Sequence, residues 1–192
     1  MNIKTIIIFA SGSGSNAETI VRYFKKRDDV RIPLILSNRA DAYVHTRAKY
    51  LGIKSVTFGK DEFQTSQFAE MLLKTGADLI ILAGFLWLIP PAIIDKFPNR
   101  IINIHPALLP KYGGKGMYGL NVHKAVIDNH ETESGITIHY VNEKYDEGNI
   151  IFQAKCPVKA DDTAETLAER VHKLEYENYP GVIEKILGNQ SS

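Results

Sequence analysis

The chain has 192 residues, 44% of them hydrophobic and 23% charged, and a formal net charge of +1. That length points to one domain, 1–192, with room for a real core, and the composition argues against disorder and against a membrane span. The charge leaves no broad basic field for nucleic acid, and the lone cysteine, Cys156, closes no internal disulfide and fits a reducing compartment.

Met1-Asn2-Ile3-Lys4 shows no basic segment followed by a long apolar one, so no export signal is expected and the cytoplasm is the expected location. Residues 5–10 are a short isoleucine-rich run, which predicts a strand buried on both faces. Ser11-Gly12-Ser13-Gly14-Ser15-Asn16 follows as a turn, with Ser15 or Asn16 placed to cap a helix carrying Ile20, Val21 and Phe24. Residues 32–36 predict a second strand, 43–51 a helix ended by Gly52, and 55–58 a short third strand. A single helix is expected over 61–75, with Phe68, Met71 and Leu72 on one face and Gly76 at its end. Residues 79–83 read as a fourth buried strand. Strands and helices alternating at this spacing mean a parallel sheet. Its right-handed crossovers gather the strand C-termini on one edge, where open α/β sheets bind ligands. That edge holds residues 11–16, 84–89 and those after Ile101-Ile102.

The second half reads differently. Residues 106–119 are a glycine-rich loop and 120–127 a helix, while 136–141 alternate as a half-exposed strand does. Residues 150–158 are a further strand, and the short stretch 142–149 between the two predicts an antiparallel pair. A terminal helix spans 163–187, with Pro180-Gly181 as its expected break, before the low-complexity tail Asn189-Gln190-Ser191-Ser192. The fold class is therefore α/β: a Rossmann-like, mostly parallel sheet with helices on both faces, and an added antiparallel strand pair in the C-terminal half.

Four constellations could carry chemistry. Gly12-x-Gly14-x-x-Ala17 matches the alanine form of the dinucleotide fingerprint, yet the second strand ends in Ser37-Asn38-Arg39 and lacks the acid an NAD ribose wants. Glycines that admit close backbone approach, followed by helix N-terminal amides, suit a monophosphate. In Asn103-Ile104-His105-Pro106, positions 103 and 105 share one strand face, so an amide and an imidazole point the same way at the ligand edge. Such a pair is suited to holding an oxyanion and handling a proton, although satisfied polar residues at a strand end read the same way. Asp146-Glu147-Gly148 lies in a loop; a carboxylate beside His105 would raise the imidazole pKa, but spacing alone does not bring Asp146 there. The apolar run 82–90 leaves a strand at the ligand edge, where it can line a pocket or simply pack in the core. No HExxH or paired CxxC occurs, so no metal is expected.

Taken in order, five segments resemble the glycinamide ribonucleotide formyltransferase family across nearly the whole chain: SGSGSN at 11–16, SNRADA at 37–42, LAGF at 82–85, NIHPALLPK at 103–111 and GITIH at 135–139. The resemblance implies transfer of a formyl group from 10-formyltetrahydrofolate, a consumed cosubstrate, to the amine of glycinamide ribonucleotide in purine biosynthesis. It implies catalysis by Asn103, His105 and Asp146, with Asp146 keeping His105 protonated against the oxyanion. Gly14, Ser15 and Asn16 would hold the substrate phosphate, and His172 and Glu175 its ribose. Folate would lie against Leu86, Trp87, Leu88, Ile89, Asn103, Asn142, Glu143, Lys144, Tyr145 and Asp146. Residues 1–100 would thus be the phosphate-binding half and 101–192 the catalytic and folate-binding half. The resemblance also suggests a cis Leu109-Pro110 bond, and no nucleic-acid, membrane or metal partner, the chain acting as a monomer or weak homodimer. The chain departs from the family pattern at Trp87, Asn149 and Tyr176. The other readings are a formyltransferase of the same core acting on another amine, an NADP-dependent oxidoreductase, and a nucleotide-binding module without turnover.

Overall fold

The computed structural model describes residues 3–189; Met1, Asn2 and residues 190–192, on which the expected absence of an export signal and the expected low-complexity tail partly rest, lie outside them. In chain order the elements are β1 (Lys4–Phe9), α1 (Ser15–Phe24), β2 (Val30–Ser37), α2 (Val44–Leu51), β3 (Lys54–Thr57), α3 (Lys60–Phe63), α4 (Ser66–Lys74) and β4 (Leu79–Leu82). They continue with α5 (Pro91–Ile94), β5 (Ile101–His105), α6 (Leu120–Asp128), β6 (Glu133–Tyr140), β7 (Ile150–Pro157) and α7 (Ala164–Asn189).

The strands form one seven-stranded sheet in the order β3-β2-β1-β4-β5-β6-β7. β1 pairs in parallel with β2 and β4, β2 with β3, and β4 with β5. The chain runs outward from β1 and then returns to β4 on its other side, so the strand order reverses between β1 and β4. A crevice opens beyond the strand ends at such a point. The expected antiparallel pair β6–β7 is present, and β6 also runs antiparallel to β5, with Asn103 opposite His139 and His105 opposite Thr137.

β1 is buried on both faces because its side chains alternate between two apolar layers. Ile6 and Ile8 pack with Ile20, Val171 and Ile183 on the side of α1 and α7, while Ile7 and Phe9 pack with Phe63, Phe68 and Leu72 on the side of α3 and α4. The isoleucine run is thus the spine of the molecule. Burying each such side chain contributes about 1.5–3 kcal/mol.

Three local expectations need correction. The helix over 61–75 is two helices. Thr65 ends the first and starts the second, its hydroxyl donating to Glu62 O at 2.7 Å and accepting from Phe68 N at 3.2 Å. Neither Ser15 nor Asn16 caps α1. The cap residue is Gly14, left-handed at φ 73°, and it has no side-chain bond. Pro180 does not break α7, which runs through it for 26 residues. The proline removes one backbone bond, but Tyr179, Val182, Ile183 and Ile186 lie buried in the core around it, and that packing holds the helix together. The Leu109-Pro110 bond is cis.

Candidate functional site

A cavity of about 650 Å³ opens at the β1/β4 crossover. Its walls come from the 11–16 turn, the segment 82–89, the end of β5, the loop before α6, the turn after β6, and α7. The first two walls are tied together: Ser11 N donates to Gly84 O at 3.0 Å, and Leu86 N donates to Ser11 Oγ at 3.0 Å.

Gly14 needs its lack of a side chain twice over. Its φ is left-handed, and an added Cβ would meet Val44 Cβ at 2.6 Å. The glycine therefore lets the turn pass against α2, and it does more than clear space for a ligand. Beyond it the first amides of α1 have no upstream carbonyl to bind. A helix N-terminus of this kind is a ready anion site. Asn16, expected as a cap, instead donates from Nδ2 to Glu175 Oε2 at 2.8 Å, and its Oδ1 has no hydrogen-bond partner among the described residues. Glu175 is only 6% exposed. Burial pushes its carboxyl up to about 7 against the opposing pull of the Asn16 bond. His172 stands on the same wall, its ring stacked on Tyr176 at 6.3 Å, and burial lowers its imidazole pKa.

At the other end, β5 sends Asn103 and His105 to one face as their spacing requires, and Asp146 comes to meet both. Asp146 Oδ1 lies 3.4 Å from Asn103 Nδ2, and Oδ2 lies 3.4 Å from His105 Nδ1. Asp146 is held there at a left-handed φ of 57° and by Gly114 N–H, which donates to Oδ2 at 2.9 Å. Burial alone would raise its carboxyl pKa. Contact with His139, the charge of His105 and the Gly114 bond together outweigh burial, so the group sits below the usual aspartate value and stays ionised.

His105 is under two opposing influences. Burial pushes its pKa below the ordinary histidine value and outweighs the raising effects of Asp146 and of the Tyr112 carbonyl. Asp146 thus favours the protonated imidazole, and burial opposes it. Its Nε2 lies 2.7 Å from Tyr112 O, which only accepts, so Nε2 carries a proton, and Nδ1 is the ring atom that faces Asp146. The same logic orients His139. Its Nδ1 lies 2.8 Å from Tyr140 O and donates there, while Nε2 lies 3.1 Å from Asn103 Nδ2 and 3.5 Å from Asp146 Oδ1.

Sequence reasoning gave no role to His139 or Gly114. His139 had one readable signal: it lies within the alternating 136–141 strand, two positions from Thr137, at a register that only the β5–β6 pairing reveals. The loop residues Lys115, Met117 and Tyr118, and His123 of α6, also line the cavity. His123 is buried with its Nδ1 unpartnered among the described residues, and burial takes its pKa to about 4.

The expected folate wall is partly assembled. Leu86, Trp87, Leu88 and Ile89 line the cavity, Leu86 and Leu88 with exposed apolar surface. Trp87 packs edge-on to Phe58 and Phe85, with ring centroids 6.0 and 6.3 Å away. Of the turn 142–146, Lys144, Tyr145 and Asp146 reach the cavity. Asn142 and Glu143 do not: the Asn142 side chain turns back to accept from Lys144 N at 3.0 Å, and Glu143 is exposed. Among the described residues no cluster of His, Cys, Asp or Glu is arranged to hold a metal ion.

The formyl transferase family model matches residues 4–183. A chloroplastic phosphoribosylglycinamide formyltransferase of Arabidopsis thaliana is 41% identical over 94% of this chain. This chain spans 64% of that relative's length, and 61% of a similar protein from Vigna unguiculata. The Bacillus subtilis phosphoribosylglycinamide formyltransferase is 36% identical, over 97% of this chain and 96% of its own. Among solved structures, that of the Anaplasma phagocytophilum phosphoribosylglycinamide formyltransferase superposes with a TM-score of 0.88 at 32% identity, over 98% of this chain and 89% of the other.

Proposed function

We propose, since this chain belongs to the formyl transferase family, that it moves the formyl group of 10-formyltetrahydrofolate onto the amine of glycinamide ribonucleotide. One observation carries the reading: a single cavity has an open helix N-terminus at one end and Asn103, His105 and Asp146 converging at the other. The first suits a phosphate and the second an acyl-type transfer. Relatives of nearly the same length carry the name of this reaction.

In this reading the substrate phosphate lies on Gly14, Ser15 and Asn16, and the ribose hydroxyls meet Glu175 and His172. The apolar wall of Leu86, Trp87, Leu88 and Ile89 takes the flat folate heterocycle, with Lys144 and Tyr145 at its rim. Attack of the free amine places negative charge on the formyl oxygen, and the Asn103 amide N–H stabilises it, while His105, whose Nε2–H is committed to Tyr112 O, serves the proton transfer. Burial disfavours the imidazolium, so in this reading His105 starts neutral and the pair it forms with Asp146 accepts a proton. The amine's proton passes to that pair and then to the departing folate nitrogen, leaving the pair as it began. The ionised carboxylate 3.4 Å from Nδ1 makes transient protonation there less unfavourable.

The chain is proposed to act in the cytoplasm as one unit over 1–192, a monomer or weak homodimer. The buried thiol of Cys156 accords with a reducing compartment. Among the described residues no helix is long and apolar enough to cross a membrane. The test is an absorbance assay for the folate product with and without glycinamide ribonucleotide. Product that requires the nucleotide supports the reading. NADPH binding without formyl transfer would favour the oxidoreductase instead.

A further inference from the structure

The turn that faces the cavity is gripped from behind. Gly12 O accepts from Val44 N at 3.1 Å, and Ser13 O accepts from Arg47 Nε at 2.9 Å, so two successive carbonyls point toward α2. In a trans peptide the carbonyl of one residue and the N–H of the next point in opposite directions. The N–H groups of Ser13 and Gly14 therefore turn the other way, toward the cavity that both residues line, and neither donates a hydrogen bond within the described protein. They join the open amides at the start of α1 on one concave surface.

Arg47 sets the second of those peptides. It does not line the cavity itself. Its Nη1 pairs with Glu18 Oε2 in the first turn of α1, and its guanidinium lies 5.1 Å from the centre of the Tyr43 ring. The side chain thus joins three things: the carbonyl of the turn, the helix behind it, and the aromatic ring at the head of its own helix. Glu18 is shared between Arg47 and Arg22, the latter at 2.7 Å, so the trio keeps one net positive charge, but Arg47 stands behind the turn and does not reach the cavity. Its contribution is geometric.

We propose that Arg47 is a positioning residue for phosphate recognition: by holding Ser13 O it aims the Gly14 N–H, and with Glu18 it keeps the turn in register with the N-terminus of α1. The inference rests on the function proposed above. It adds that anion affinity here depends on a residue the anion never touches. A lysine in its place keeps the charge but cannot reach a backbone carbonyl and a carboxylate together with one planar fork.

The experiment compares wild type with Arg47→Ala and Arg47→Lys. Three quantities are read: KM for the phosphorylated substrate, KM for formylfolate, and the inhibition constant of inorganic phosphate. In both variants the substrate KM and the phosphate inhibition constant are expected to rise together by about tenfold or more, as for a site that has lost preorganisation. The folate KM and kcat should stay within about threefold. Arg47→Lys keeps the stem and the charge and carries the test if the alanine variant does not fold. A wild-type KM in Arg47→Lys would overturn the proposal, since charge alone would then suffice. Equal rises in both KM values would overturn it too, by showing general loosening. If wild type shows no nucleotide-dependent turnover, the proposed function fails, and the Arg47 role is still read from the Gly14 and Ser15 amide NMR shifts on adding inorganic phosphate. Shifts present in wild type and weakened about tenfold in Arg47→Lys sustain it; equal shifts in both overturn it.

Discussion

Asp146 occupies a left-handed backbone conformation at φ 57°, which costs a non-glycine residue energy unless its surroundings hold it there. The Gly114 N–H and the neighbouring His105, His139 and Asn103 supply that hold. If Asp146 and His105 handle the proton together, Asp146→Asn should lower kcat by about a hundredfold or more. His105 should also titrate lower in that variant, because a negative charge that favoured its protonated form is gone. The acid limb of kcat/KM, set in this reading by protonation of His105, should then move to lower pH. His105→Ala combined with Asp146→Asn should cost much less than the sum of the two single losses, since groups acting as a unit are non-additive. Full additivity, or a near-normal Asp146→Asn rate, would mark Asp146 as a bystander. The Asn103–His105 pair was legible because a strand repeats every two residues. Asp146 was not, because its approach depends on β5–β6 register and a turn conformation that spacing does not encode.

At the scale of elements, the 60–75 stretch shows how one hydroxyl can divide a helix. Its apolar periodicity continues across Thr65, so the pattern alone predicts one helix. Thr65 takes up the N–H of Phe68 and donates to Glu62 O, which offers the backbone an alternative to continuing. Thr65→Ala should cost about 1 kcal/mol of stability, read as a lower urea midpoint at unchanged slope, with kcat unaffected since α3 and α4 do not line the cavity. An unchanged midpoint would mean that packing, not the cap, divides the helix. The cap of α1 misled in the opposite sense. Serine and asparagine follow Gly14 and are good caps by type, yet the close passage of Val44 admits only glycine at the cap, and Asn16 turns to Glu175 instead.

For the whole molecule, two buried groups on the cavity wall oppose one another in pH. His123 is depressed from 6.5 to about 4, so the stability it contributes is present above 6.5 and is lost as pH falls toward 4. Glu175 is raised from 4.5 to about 7, so its contribution is present below 4.5 and is lost as pH rises toward 7. Each shift corresponds to roughly 3 kcal/mol, and over pH 4.5–6.5 the two slopes largely cancel. Glu175→Gln should therefore leave the unliganded protein more stable at pH 8, by up to roughly 3 kcal/mol, and make its stability fall more steeply toward acid. Thermal unfolding of wild type and variant across pH 4.5–8 checks this, and parallel curves would refute it. The fold at this scale was largely readable. The β1 isoleucine run and the strand–helix alternation point to a parallel sheet with a ligand edge. Burial of individual polar groups was not readable, because Glu175 and Asn16 meet across 159 positions of sequence.

The close seat of Gly113 against the Asp146 side chain has a consequence for how this chain can change. A Cβ on Gly113 would stand 3.1 Å from Asp146 Cβ and 2.6 Å from Leu109 Cδ2. A few positions on, Lys115, Gly116 and Tyr118 are exposed. The loop is therefore two territories. In its later half, Lys115 and Tyr118 are the positions open to randomised libraries that alter what the cavity mouth admits. At 113, any side chain would push on the acid itself, so redesign of substrate preference would have to leave that position untouched, together with the positive-φ glycines at 114, 116 and 119.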